Sequence, residues 1–289
     1  MTSSQLIHLK PDTAPIFWWL IICACVIYGM ILLGGVTRLT DSGLSMVDWK
    51  PIMGIIPPLS ENDWQEMFLK YQKYPEYKKT NFEMTLSEFK PIFMYEYLHR
   101  ILGRIIGIIF FIPLLYFTLR KAIPLVLIPR LYLLLILGGF QGVLGWYMVK
   151  SGLVDDPNVS QYRLTAHLGM AVLIYSLILW TVFDLSLNYN HAIRSRIKWM
   201  SSTLTLLIFL MILSGGLVAG TRAGIPFPTW PLMGDTFIPT QIYSMNPRWL
   251  SAFEDMATIQ FNHRMFAYLL TILIVIFAIV LLRSNAPRF

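Results

Sequence analysis

The segment YEYLHRILGR, Tyr95 to Arg104, sets a carboxylate, an imidazole and two guanidiniums at the start of an apolar run that continues to Leu119. Charges in such a stretch are costly and mark functional positions. Glu96 precedes His99 by three residues, which puts both side chains on one helical face. That pairing suits an imidazole ligand beside a carboxylate that stabilises developing positive charge or handles a proton. A second segment, QFNHRMFAY from Gln260, repeats the His-Arg step at His263 and Arg264 but has an amide where the first has an acid. A third, RLTAHLGM, brings His167.

His99, His167 and His263 each lie within about two turns of the outer end of an inward-running apolar segment, at similar depth. One interfacial histidine is ordinarily a structural hydrogen-bonder, and an acid at a helix start is ordinarily explained by the macrodipole. Three histidines at matched depth in alternate segments point instead to ligands. A closed zinc site would want four ligands. Paired imidazoles on facing helices in apolar surroundings suit haem iron better. The residues four positions on are Gly103, Ala171 and Ala267, small enough to let a flat macrocycle approach, though small residues are common in membrane helices. Haem propionates pair with guanidiniums. Arg38, Arg100, Arg104, Arg222 and Arg264 gather at the outer boundary, and Arg100 and Arg264 lead because each directly follows a histidine. His8 and His191 fall in polar segments and read as solvated.

The elements that must hold these groups are membrane helices. Only 13% of the 289 residues are charged and 56% are hydrophobic, against about a quarter charged in a soluble domain. Six apolar runs reach the roughly 20 residues of a bilayer span. They cover Pro15–Val36, Pro91–Leu119, Leu131–Val149, Leu164–Phe183, Trp199–Thr221 and Gln260–Leu282. The first has no cleavage signature and reads as a retained helix. The net charge of +7 suggests nucleic acid only until its distribution is considered. The N-tail, the short loops 120–130 and 184–198 and the C-tail hold nine Lys/Arg and two acids, whereas 150–163 and 222–256 hold four and five. That is the positive-inside bias. It puts both ends in the cytoplasm and turns 38–91, 150–163 and 222–256 outward. Cys23 and Cys25 sit two residues apart in the first span, pointing about 200° apart on a helix, and no thiol metal motif, phosphate loop or Ser-His-Asp pattern occurs.

Two outward helix ends match. ILLGGVTRLTDSGLSMVDWKPIMGIIPP from Ile31 and ILSGGLVAGTRAGIPFPTWPLMGDTFIP from Ile212 share Gly-Gly, Thr-Arg, Gly, Trp, Met-Gly and Pro in the same order. The following helices match at EYLHRILGR and QFNHRMFAY. Helices one and two therefore resemble five and six, a parallel repeat about an axis along the membrane normal. The expected fold is an all-α polytopic membrane bundle. A four-helix half, 1–190, is followed by a partial half of two helices, 191–289.

On GGVTRLTDSGLSMVDWKPIMGIIPP, EYLHRILGR, GGFQGVLGWYMVKSGL (which carries Gln141 and Trp146), RLTAHLGM, GGLVAGTRAG and NHRM, the chain resembles the haem A synthase family over nearly its whole length. The resemblance implies eight helices in two four-helix halves, so this chain would lack the last two. It implies oxidation of the C8 methyl of haem O to a formyl group, giving haem A for terminal oxidases. His99 and His167 match the substrate-haem ligands, His263 matches one ligand of a cofactor haem b, and Glu96 matches the family's important glutamate. The other haem b ligand belongs to the eighth helix. The loop 38–91 has seven Lys/Arg, eight acids and no cysteine, which places the chain with the cysteine-free proteobacterial and mitochondrial branch and excludes a thiol–disulfide electron route there. Implied partners are haem O, haem O synthase, terminal oxidase assembly factors and membrane lipid, with no nucleic acid and a homo-oligomer left open. The implied location is the bacterial inner membrane. A non-catalytic membrane b-type cytochrome or a haem-binding and delivery protein would use the same histidines and have no need of Glu96.

Overall fold

A computed structural model describes residues 13–48, 55–155, 157–186 and 195–284. His8 and His191 lie outside the described residues. In chain order the α-helices are α1 Ala14–Leu39, α2 Glu61–Tyr71, α3 Pro75–Lys79, α4 Leu86–Leu119, α5 Ile128–Gly152, α6 Gln161–Ser186, α7 Ser195–Thr221, α8 Ser251–Glu254 and α9 Met256–Arg283. The six long ones coincide with the six expected spans and are long and apolar enough to cross a membrane. The chain is an all-α, multi-pass membrane bundle.

The helices outrun the apolar stretches because their ends are capped by polar residues. Thr85 and Glu88 form a reciprocal capping box that starts α4 before Pro91. At 34 residues, α4 is about 51 Å long against an apolar bilayer core of about 30 Å, so part of it stands in water. Asp255 starts α9 by accepting from Thr258 N at 2.8 Å.

The chain forms two compact units. The first comprises 13–163 and 170–186 of the described residues. Its membrane core joins α1, α4, α5 and α6 through Leu20, Ile27, Leu114, Leu131 and Ile178, all buried. Trp19 donates to the Ile109 carbonyl at 2.9 Å and packs at a tilt against the rings of Phe110 and Phe117. At the start of α5 and the end of α6, Arg130 pairs with Asp184 at 2.5 Å and lies over Trp180.

The segment 38–91, read as a charged loop, is built up further than that. Phe68, Tyr71, Phe89 and Phe93 make a second small core with Trp64, Tyr77 and Met46 around α2, α3 and the start of α4. Burial pushes the Tyr71 hydroxyl pKa up, and the phenol accepts from Asn81 Nδ2 at 2.7 Å. A Ser60–Asp63 capping box opens α2. The Ser60 and Leu59 hydrogen bonds hold the Asp63 carboxyl below its usual range. Lys79 reaches the Asp155 carbonyl at 2.6 Å, tying α3 to the connection after α5.

The second unit comprises 164–169 of α6 together with 195–284. Its main contact is α7 against α9. A short stretch of α6 approaches α7 closely. A Cβ at Gly216 would stand 3.1 Å from Thr165 Cα, and one at Gly169 would meet Leu213 at 2.6 Å. Small residues allow that approach.

Candidate functional site

In the first unit, α1 and α4 form the most closely packed helix pair. Near the end of α1, Gly34 faces the His99 ring. A Cβ there would stand 3.1 Å from His99 Cε1, so the imidazole occupies space that a side chain at residue 34 would fill. In the second unit, α7 and α9 repeat the arrangement. A Cβ at Gly215 would lie 3.4 Å from His263 Cε1. The repeat inferred from spelling is thus a repeat of geometry, with the same ring atom against the equivalent glycine. The helix ends agree as well. Both α1 and α7 close with a 6→1 hydrogen bond of 3.0 Å, Ser42 N to Thr37 O and Ala223 N to Val218 O. Asp41 and Arg222 hold the same left-handed backbone position, with φ of 50° and 56°. The register also corrects one detail. The two Thr-Arg pairs are not equivalent, because Arg38 lies in the last turn of α1 and pairs with Asp41 at 3.2 Å, whereas Arg222 lies past the end of α7.

Glu96 is 3% exposed and is the centre of a polar hub. Its Oε2 accepts from Ser45 Oγ at 2.8 Å and from Met46 N at 2.7 Å. Its Oε1 accepts from Arg100 Nη2 at 2.5 Å. Arg100 also donates to the Met46 and Asp48 carbonyls at 2.7 and 3.1 Å. Carboxylate and guanidinium together bind the chain after α1 to α4. A buried carboxyl group needs such hydrogen-bond partners to offset its loss of water. Beside the hub, a cavity of about 220 Å³ is lined by Met46, Asp48, Glu66, Tyr97, Arg100 and Arg104 among others. Lys70 reaches Asp48 at 3.3 Å and Glu66 at 2.7 Å. Both acids raise its pKa, Glu66 the more strongly.

The sister position is chemically different. Gln260 is 9% exposed and its Oε1 has no hydrogen-bond partner among the described residues. Arg264 nevertheless repeats the task of Arg100. It donates to the carbonyls of Phe227, Thr229 and Leu232 at 2.7 to 3.0 Å. The arginines expected to lead in propionate binding are thus both engaged with backbone carbonyls of the segments that follow α1 and α7. His263 has a partner that no sequence motif marks, Ser214 Oγ, 3.0 Å from Nδ1.

The structure brings together Glu96, Arg100 and the chain after α1, and separately His263, Ser214 and Gly215. His99 belongs to the first unit, and His167 and His263 to the second. His167 stands on α6 between Thr165 and Gly169, which make the close contacts with α7. Gln141 and Trp146 are on α5, with Lys150 Nζ 5.2 Å over the Trp146 ring.

The family model described as cytochrome oxidase assembly protein, COX15-CtaA, matches residues 17–288. A protein of Nitrosospira multiformis named Heme A synthase is 51% identical over 268 residues, covering 91% of this chain and 75% of its own length. This chain belongs to the haem A synthase family. A relative of the same name from Parvibaculum lavamentivorans is 47% identical over 260 residues, covering 90% of this chain and 76% of the relative. One from Wolbachia pipientis wMel is 40% identical over 271 residues, covering 93% and 77%. The chain thus spans about three quarters of these relatives. No solved structure matches.

The side chains present are compatible with a haem on grounds independent of family. The His99 ring occupies the space a Cβ at Gly34 would crowd at 3.1 Å, the His263 ring lies at near-normal contact, 3.4 Å, from the place of one at Gly215, and His263 has its Nδ1 engaged, the arrangement that leaves the other ring nitrogen for a metal.

Proposed function

We propose that this chain makes haem A by oxidising the C8 methyl group of haem O to a formyl group. The observation that carries the reading is the inequality of two otherwise matched sites. His99 and His263 occupy equivalent positions, but only the first has a buried acid, Glu96, on its helical face, where the second has Gln260. The half with the acid hosts the reaction and the half without it holds a permanent cofactor.

In this reading His99 and His167 hold the substrate haem and His263 holds haem b, within halves 1–190 and 191–289. Haem b supplies electron transfer when bound. Glu96, held in place by Ser45 Oγ, Met46 N–H and Arg100, offers its carboxyl group to the cationic character that develops as the methyl carbon is oxidised. It also offers an acceptor for a proton released there. Arg104, which lines the cavity beside the hub, together with Arg38 and Arg222 is assigned to propionates. Arg100 and Arg264 hold the loops over the sites and reach a propionate only through their remaining N–H groups. The inner membrane, with both chain ends cytoplasmic, is the assigned location, and haem O synthase and oxidase assembly factors are the assigned partners.

The test is to supply the chain with haem O in membranes that have no haem A synthase of their own and to separate the extracted haems. Hydroxylated or formyl haem is expected from the wild type and not from Glu96→Gln, which copies the sister half. A wild type that yields neither product sinks the enzyme reading. An electron-carrying cytochrome would keep its redox spectrum and turnover in Glu96→Gln, and a delivery protein would return haem O unchanged.

A further inference from the structure

Ser214 immediately precedes Gly215 on α7, and its Oγ lies 3.0 Å from His263 Nδ1. At the equivalent place in the first unit, immediately before Gly34, stands Leu33, which has no hydrogen-bonding side chain. The two imidazoles share a glycine neighbour and differ in this contact.

An imidazole ligates iron in its neutral form through one nitrogen, and the proton then sits on the other. Whatever accepts that proton selects the tautomer and sets the ring orientation. A serine hydroxyl both donates and accepts. With Nδ1 protonated and bonded to Oγ, Nε2 carries the free lone pair. Gly215 completes the seat, because the ring edge at Cε1 rests against a position with no side chain of its own. The hydroxyl and the missing Cβ come from adjacent residues of one helix, so the ring is fixed relative to α7 as well as to its own helix α9.

We propose that Ser214 is a positioning residue for the cofactor haem, accepting from His263 Nδ1–H so that Nε2 serves as the iron ligand. The inference rests on the reading of His263 as a haem b ligand. A permanent cofactor gains from a ligand locked in one tautomer and one orientation.

The test titrates haem b into the purified full chain in detergent, every form carrying His99→Ala so that the substrate-haem ligand is removed, and compares the otherwise wild-type chain (called wild type below) with Ser214→Ala, Ser214→Thr and His263→Ala. Affinity is read from the Soret band and ligand geometry from the low-temperature electron paramagnetic resonance of the ferric form. Loss of an outer partner of a ligating histidine typically weakens binding about 10–100-fold. Ser214→Ala is expected to weaken haem b by that factor and to shift the resonance, Ser214→Thr to restore both, and His263→Ala to abolish specific binding. If His263→Ala binds haem b as the wild type does, or the wild type binds none, the ligand assignment falls and takes the inference with it. If His263→Ala loses haem b while Ser214→Ala keeps wild-type affinity and resonance, only the role of Ser214 is overturned.

Discussion

A glycine and an imidazole share one small space in each half of the molecule, and that space sets tolerances. A Cβ at Gly34 would reach 3.1 Å from His99 Cε1, tighter than the 3.4 Å at Gly215. Gly34→Ala must therefore displace the His99 ring, whereas Gly215→Ala meets His263 at near-normal contact. The expected outcome is a larger loss of haem O binding in Gly34→Ala than of haem b binding in Gly215→Ala, read by parallel haem titrations. Glu96 answers to a different force. Removing one partner of a buried ion pair typically costs about 3–5 kcal/mol, so Glu96→Ala should lower stability by that order in denaturant titrations in mixed micelles. The histidines and Glu96 were legible in the sequence because an ionisable residue inside an apolar run stands out. Ser45 and Ser214 were not, because a serine in or beside a membrane helix has no distinctive spacing and only the fold decides what its hydroxyl meets. The destinations of Arg100 and Arg264 are backbone carbonyls, which every residue carries and no sequence marks.

At the scale of elements, the six spans were readable from hydropathy and length, and the structure lengthens them at their polar caps. The helices α2 and α3 are hidden from hydropathy by the charge of 38–91. Yet Ser60-Glu61-Asn62-Asp63 and Thr85-Leu86-Ser87-Glu88 each spell a capping box, and Trp64, Phe68 and Tyr71 follow at helical spacing. The cap on α2 has a pH signature. The pKa of Asp63 is lowered by its Ser60 and Leu59 bonds, so its contribution is complete above the ordinary aspartate value of about 4 and is lost as pH falls through the lower folded value. The stability advantage of the wild type over Asp63→Asn should accordingly be full at neutral pH and shrink below about pH 4, as followed by melting curves across that range. The helix contacts make a further prediction. Gly216→Ala would drive a methyl group to 2.8 Å from Thr165 Oγ1 and 3.1 Å from its Cα. Backbone cannot swing aside as a side chain tip does, so overpacking of about 1–3 kcal/mol is expected. The melting temperature should drop further than in Gly215→Ala.

Across the whole molecule, burial divides the spans. In α1, 39% of the most apolar window is enclosed, against 6% in α5 and α9. Exposed Ile136, Phe140, Val143, Ile272, Ile276 and Ile279 need lipid or a neighbouring helix around them. The two cysteines of α1 report the same division. Cys23 is buried and Cys25 exposed, as their angular separation on a helix anticipated. A lipid-soluble maleimide should label Cys25 in intact membranes and leave Cys23 unmodified, with mass spectrometry of the two sites as the readout. Labelling of Cys23 in preference would mean that α1 is turned the other way.

The adjacency of His99 to Arg100, and of His263 to Arg264, makes each pair a lever. One arm ends inside the membrane at an imidazole and the other grips a loop at the surface, the two separated by a single peptide link. Any small rotation of α9 that seats a ligand on His263 must pull the Phe227–Leu232 carbonyls with it. A fluorophore on an exposed residue of that loop, such as Trp230→Cys labelled with an environment-sensitive dye, should change its emission as haem is titrated in. In Arg264→Ala the dye should stay silent at the same occupancy. The Phe227–Leu232 segment is then a gauge of what binds at His263.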